Sequence, residues 1–265
     1  MTIVVKVGGA SGNSLAPVLD EVALRPSEYV LVHGGSEEID RLGTALGRPP
    51  RYYTSPSGTV SRHTDAAHLE VVILALAGSV QTRIVRELAT RHVPAVGLSG
   101  VDGGLLTARR KEGARAVQDG RVVRVAADLS GSLESVRTDL IERLRQGGYV
   151  PVIGPPALTP EGEVVNVDAD RVAARVAAAL HADGLVLLTN VEGVLRDADD
   201  PRSLIPRVDA SNEAEVMTAA RGRMHKKVRA AIEAVRAGVG SAVIGSSATP
   251  RPVAAALAGQ GTVFV

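Results

Sequence analysis

Apolar, β-branched runs that end in Gly or another turn residue recur along the chain: TIVVKVGG (2–9), EYVLVHGG (28–35), VPAVGLSG (93–100), YVPVIGPP (149–156), DGLVLLTN (183–190) and GSAVIGSS (240–247). Their apolar positions are continuous rather than alternating, the pattern of strands buried on both faces. Between most of them, apolar residues recur at helical spacing, over 37–46, 65–91, 133–146, 169–181 and 225–237. This alternation predicts an α/β fold, a three-layer αβα sandwich around a mainly parallel central sheet. One segment breaks it: LLTARRKEGARAVQDGRVVRVAAD (105–128) reads as strands with polar turns, and predicts a protruding β-hairpin. The polar stretch 196–215 reads as a surface loop. Sites in open α/β sheets lie beyond the carboxyl ends of the strands, where this chain places its Gly-rich turns.

A length of 265 residues suits one large domain or two lobes. The hydrophobic share of 45% comes from Ala, Val and Leu, with aromatics at only 2%, as in tightly packed helices over buried strands. A formal net charge of +1 gives no global case for nucleic acid or membrane binding, so charge arguments must be local. With no Cys there are no disulfides, thiolate metal sites or cysteine nucleophiles. The chain starts on a strand-like run without a signal-peptide core. Its longest apolar run, VVILALAG (71–78), is too short to span a bilayer. A cytoplasmic protein is expected.

KVGGASG (6–12) and HGGS (33–36) each follow a strand. Glycines there let the backbone approach a ligand, and successive N–H groups can cradle anionic oxygens. Singly, such turns are more often just tight turns, and neither fits the Walker or dinucleotide-binding pattern. Lys6, inside the first strand, needs an anionic partner, which a ligand or a structural ion pair would satisfy equally. VVNVDADRVAA (164–174) carries Asn166, Asp168 and Asp170 between a strand and a helix, where one aspartate is expected to cap the helix. GRMHKKVRAA (222–231) opens a basic helix with Lys226 and Lys227. The loop RYYTSPSGTVSRHTD (51–65) holds two adjacent Tyr, in a chain with four, and Arg62.

Taken in order, strand-Lys-x-Gly-Gly, HGG, R-x-T-D, N-x-D-x-D and a late helix-start Lys resemble the amino acid kinase family over essentially the whole chain. Within it they resemble the branch of N-acetylglutamate kinases and of kinases acting on aminoadipate linked to a small acidic amino-group carrier protein, LysW. TSPSGTVSRHTD, GLSGVDGGLLTARRK, GYVPVIGPP and VVNVDADRVAARVA carry that closer likeness. The resemblance implies ATP-dependent phosphorylation of a side-chain carboxylate, with Mg2+ on the nucleotide phosphates and no metal-binding residues. It implies an acceptor-binding and dimerising lobe over 1–181 and an ATP lobe over 182–265. Lys6 and Lys227 would neutralise the transferring phosphoryl group, and Asp170 would hold them in register. Gly8, Gly9, Gly34 and Gly35 would give N–H groups to phosphate and substrate. Arg62 and Asn166 would hold the acceptor's α-carboxylate, and Thr189, Asn190, Gly193 and Leu195 would wall the nucleotide.

A carrier of acidic character needs a basic surface at the mouth of the site. Between Arg109 and Arg124 six basic residues face two acidic ones, Glu112 and Asp119, an excess of four. Arg109, Arg110 and Lys111, with Arg51, Tyr52 and Tyr53, are the expected docking surface; a merely solvated hairpin is the alternative. Acceptance of carrier-linked glutamate, an N-acetylglutamate kinase of arginine synthesis, and a non-catalytic ligand sensor on the same fold remain open. By analogy, a chain that begins at its first strand is expected to form a simple homodimer.

Overall fold

The computed structural model describes residues 1–9, 12–56, 58, 60–113, 115–118, 121–197, 199–200 and 202–265. All six apolar runs form strands: Ile3–Val7, Tyr29–His33, Ala95–Ser99, Val150–Gly154, Gly184–Thr189 and Ala242–Ser246. With Arg207–Val208 and Thr262–Phe264 they make an eight-stranded sheet among the described residues. Across the sheet the order is 207–208, 262–264, 242–246, 184–189, 3–7, 29–33, 150–154, 95–99. Neighbours run parallel except 242–246 against 262–264.

Continuous apolar runs are explained by what covers them. Val4, Val32, Leu185 and Leu187 face one core, shared with Val172 and Val176 of helix Ala169–Ala179 and Val228 of helix Gly222–Arg236. Val5, Leu31, Val186 and Leu188 face the other, shared with Val18 and Leu19 of helix Ala16–Leu24 and with the long helical stretch Ala66–Ala89. Each fully buried Val or Leu contributes roughly 1.5–3 kcal/mol, so a strand lined on both faces is anchored twice.

The long helical stretch is capped by Asp65, whose carboxylate accepts the His68 N–H at 2.9 Å. By length and composition alone it could cross a membrane. Here Val71, Val72, Leu76, Ile84 and Leu88 are instead buried in the second core. Its middle turns, Leu74–Val80, widen into a π-helix that presses Leu76 and Val80 onto Gly35: an added Cβ there would lie 2.6 and 2.9 Å from them. π segments often mark functional positions, and this one braces a glycine turn.

Three expectations change. Residues 133–136 are not helical but belong to strand Gly131–Val136, paired antiparallel with Leu106–Arg110; the helix starts at Thr138. Gly131 and Leu133 point inward at the strand period, and cross-strand bonds decide a stretch whose apolar spacing fits both periods. Next, 105–128 is not one hairpin. Leu106–Arg110 lies in a four-stranded sheet with 131–136, 157–158 and 164–165, and Arg115–Gln118 pairs with Arg121–Arg124 in a separate two-stranded sheet. Finally, the segment 196–215 is not all loop, since Arg207–Val208 extends the sheet edge and helix Glu213–Ala219 begins within it.

Candidate active site

A cleft of about 820 Å³ opens at the carboxyl ends of the strands. Its floor is a buried trio. Asp170, in the first turn of helix Ala169–Ala179, meets Lys6 Nζ at 2.7 Å through Oδ1, and Lys227 Nζ at 3.0 and 2.9 Å through both oxygens. Lys6 stands on a central strand between partners Val32 and Leu187, and Lys227 on helix Gly222–Arg236. The anionic partner that Lys6 requires is therefore in the chain, and is shared with a second lysine. Asp168 takes the other expected role: its Oδ1 accepts from the N–H groups of Asp170 and Arg171 at 3.0 and 3.2 Å, capping the helix.

Electrostatics separate the two lysines. Burial pushes the Lys6 ammonium down, to about 8; Asp170 opposes that shift and the Lys227 charge adds to it. Burial also disfavours the charged form of Lys227, but with both Asp170 oxygens within reach its pKa ends above the ordinary value. For Asp170 burial alone would raise the pKa, and the two ammoniums overcome it, holding the carboxyl well below the usual range. Two cations on one anion leave a net positive floor.

Above the trio the two glycine turns cross. A Cβ added to Gly9 would lie 2.3 Å from Gly35 N and Cα, so only glycine permits the approach. Gly9 O accepts from Glu37 N–H at 2.9 Å and from Ser36 Oγ at 3.1 Å, pinning one turn to the other. Gly34 N–H points to Val7 O at 3.4 Å. Gly8, Gly9, Gly34 and Gly35 all line the cleft.

One wall carries Arg62 and Asn166. Arg62 ends the short strand Val60–Arg62, with its guanidinium 4.9 Å from the Tyr52 ring centroid and paired with Asp40 at 2.5 Å. Tyr52 Oη donates to the same Asp40 carboxylate at 3.1 Å. Asn166 donates through Nδ2 to Thr64 Oγ1 at 3.3 Å. Across Lys6, Thr189 and Asn190 line the opposite side, at the end of strand Gly184–Thr189. Gly193 and Leu195 are not among the lining residues. Gly193 is packed against Leu204 and Thr262, and Leu195 bridges to Leu204, because the chain turns from the cleft toward the sheet edge.

The expected docking residues divide. Lys111 lines the cleft itself, where desolvation and the Lys226 charge lower its pKa. Arg109 and Arg110 point elsewhere, paired with Glu134 at 3.1 Å and Glu163 at 2.8 Å, so part of the local positive excess is neutralised. Arg51 is exposed and paired with Asp65. Tyr52 lies on the cleft wall, while Tyr53 Oη turns inward to Asp128 at 3.4 Å. Asp119, counted in the charge balance, lies outside the described residues.

Sequence reasoning overlooked several lining residues, among them Asn13, Ser130 and Arg223, and Ser36, left out of the expected site because relatives often carry a third Gly there, lines the cleft as well. It also overlooked His33, buried beneath the glycine crossing, its ring so close to Gly154 that a Cβ there would lie 2.5 Å from Nε2. Burial lowers the His33 pKa to about 4, keeping it neutral. The signal was available: a polar residue ending a run as apolar as YVLV needs a reason to be there.

Residues 1–246 match the model of the amino acid kinase family. The [LysW]-aminoadipate kinase of Deinococcus radiodurans is 46% identical over 98% of this chain and 90% of its own length. The acetylglutamate kinase of Methanopyrus kandleri is 41% identical over 91% of this chain and 93% of its own. Among solved structures, smu.665 from Streptococcus mutans superposes over 100% of this chain and 98% of its own, with a TM-score of 0.78 at 23% identity. That likeness concerns the fold alone.

Proposed function

The chain belongs to the amino acid kinase family, and from that premise we propose that it transfers the γ-phosphoryl group of ATP to the side-chain carboxylate of α-aminoadipate linked to the LysW carrier protein. The observation that carries this reading is Asp170 held between Lys6 and Lys227 on the floor of the cleft. An acceptor oxygen attacks the γ-phosphorus, the bond to the β,γ-bridging oxygen breaks, and ADP leaves with that electron pair; the product is an acyl phosphate. A carboxylate is ionised at neutral pH, so no general base is required. The obstacle is bringing an anion to a polyanion, and the chain answers with position and charge. Lys6 and Lys227 face the phosphoryl group as its charge spreads, and Asp170 keeps both ammoniums fixed and prevents their mutual repulsion.

The glycine crossing offers backbone close to the phosphates, Arg62 and Asn166 hold the acceptor's α-carboxylate, and Thr189 and Asn190 flank the nucleotide. Residues 1–181 then form the acceptor lobe and 182–265 the nucleotide lobe. Asp170 has both oxygens engaged by lysines and Asp168 caps a helix. Magnesium would then be held by the nucleotide phosphates, and the chemistry it would supply there is charge neutralisation. In this reading the working form is a cytoplasmic homodimer, which sedimentation velocity would test.

The chain's 46% identity to the aminoadipate relative favours that acid, while the acetylglutamate kinase at 41% defines the competitor. One methylene separates carrier-linked aminoadipate from carrier-linked glutamate, worth roughly 1–3 kcal/mol in a pocket, so both belong in the assay. ADP release is measured with carrier-linked aminoadipate, carrier-linked glutamate and N-acetylglutamate, against a Lys227→Ala control. Fastest turnover on carrier-linked aminoadipate supports the assignment. Preference for N-acetylglutamate overturns it, and nucleotide binding without turnover on any acid points to a sensor.

A further inference from the structure

Beneath the wall that carries Arg62 and Asn166 lies a carboxylate the reaction does not use. Asp128 is 4% exposed and forms no ion pair among the described residues. An unpaired buried carboxylate is costly unless hydrogen-bond donors surround it. Here they do. Oδ1 accepts from the Thr64 N–H at 3.2 Å and from Ser130 Oγ at 3.0 Å, and Oδ2 accepts from Tyr53 Oη at 3.4 Å.

Those donors are not scattered. Thr64, fully buried, follows Arg62 by two residues, and all its polar groups are engaged. Its N–H goes to Asp128, its carbonyl accepts from Leu129 N–H at 2.7 Å, and its hydroxyl accepts from Asn166 Nδ2 at 3.3 Å. Asn166 is tied to the same segment through its backbone, accepting from Gly131 N–H at 2.7 Å and donating to Leu129 O at 2.8 Å. Tyr53 pairs with Ser61 across the short two-stranded ribbon that ends at Arg62. Asp128 is thus bonded at once to the Arg62 segment, to the ribbon opposite it and to the Ser130 segment that grips Asn166.

We propose that Asp128 is a positioning residue for the carboxylate acceptor, setting through Thr64 the spacing between Arg62 and Asn166. This rests on the functional reading above, since it supposes that Arg62 and Asn166 grip the acceptor. Hydrogen-bond acceptance at Oδ1, not charge, is what the arrangement uses, because Thr64 N–H and Ser130 Oγ both meet that oxygen. Asparagine keeps an acceptor there and presents Nδ2 to Tyr53 Oη, which can accept.

The test is steady-state kinetics on the full chain with whichever acid the wild type phosphorylates, varying acid and ATP separately. Asp128→Ala is expected to raise the acid KM about tenfold or more while kcat and the ATP KM stay within about threefold. Asp128→Asn is expected to return the acid KM to within about threefold of wild type. An unchanged acid KM in Asp128→Ala overturns the proposal, as do equal rises for acid and ATP, which mean a general structural role. Asparagine as poor as alanine overturns it too, since charge would then be what matters. Should the alanine variant fail to fold, Thr64→Val removes only the hydroxyl link to Asn166. It is expected to raise the acid KM at least threefold, and no change there counts against the proposal. A wild type that phosphorylates no acid defeats the functional reading; an active wild type with an indifferent Asp128→Ala defeats only the positioning role.

Discussion

The floor of the cleft and the wall that carries Arg62 and Asn166 hold charged groups by different means. Lys6 stands on a central strand whose neighbours fill both cores, Val4 the first and Ile3, Val5 and Val7 the second, and Asp170 and Lys227 stand on helices packed into the first, so sheet register and helix packing set their geometry. Arg62 and Asn166 stand at the ends of strands of three and two residues, outside the eight-stranded sheet. Side-chain hydrogen bonds to Asp40, Thr64 and Asp128 do there what packing does on the floor. Packed elements are rigid and suit groups whose position must not change during bond transfer. Short strands tied by polar contacts can be retuned one contact at a time, which would suit the acceptor grip proposed for this wall.

Removing a floor group should show the largest effect. Lys227→Ala is expected to lower kcat 10²–10³-fold, about 2.7–4 kcal/mol of transition-state stabilisation, while the acid KM moves little. A kcat within fivefold of wild type, measured by ADP release, would remove Lys227 from the chemistry.

How far the rigid region extends below the floor is tested by acid. His33 is buried neutral with its pKa lowered from the usual 6.5 to about 4, so the folded state binds fewer protons than the unfolded chain in that window. Stability is therefore complete above about pH 6.5 and is lost as pH falls toward 4, on the order of 3 kcal/mol from this group. Urea unfolding at pH 7 and at pH 4.5 should differ accordingly, and His33→Phe should flatten that difference. An identical pH slope in the variant would exclude His33 as its source.

On the wall the sign of the kinetic split should reverse. Arg62→Lys keeps the charge but loses the planar fork. The acid KM is expected to rise roughly ten- to thirtyfold, about 1.5–2 kcal/mol, with kcat held within about threefold. A fall in kcat at constant KM would erase the distinction between floor and wall.

The smallest effect belongs to the surface. Arg109 and Arg110 already have carboxylate partners, so neutralising both is expected to raise KM for a carrier-linked acid only two- to fivefold at low salt, with no change at high salt. Lys111→Ala, inside the cleft, should exceed that effect and persist at high salt. An equal response of the three would return Lys111 to the outer docking surface.

How much of this was legible in the chain follows from the range of each signal. Every central strand, and the turns at Gly8, Gly9, Gly34 and Gly35, could be read from runs of apolar residues ending in glycine. The helical pattern misled at 133–136, where the strand period and a cross-strand partner prevailed over helical spacing. Asp128 and Asp40 left no trace, because an isolated aspartate in a polar segment reads the same whether solvated or buried. Arg109, Arg110 and Lys111, consecutive in sequence, read as one basic patch, yet Arg109 and Arg110 end a strand paired with Glu134 and Glu163, while Lys111, just past it, lines the cleft.

By itself the sequence determined the two-sided strands, the glycines that must turn, and the presence of a lysine in a strand core that requires an anion. Which anion was a tertiary decision. Asp170 reaches Lys6 because strand Ile3–Val7 inserts between 29–33 and 184–189, bringing residues 164 positions apart to 2.7 Å. Asp168 and Asp170 differ by two residues in the chain, and the helix start alone sends one to cap the backbone and the other into the cleft. Local pattern fixes where a side chain must be buried or exposed; the order of strands in the sheet fixes what it meets there.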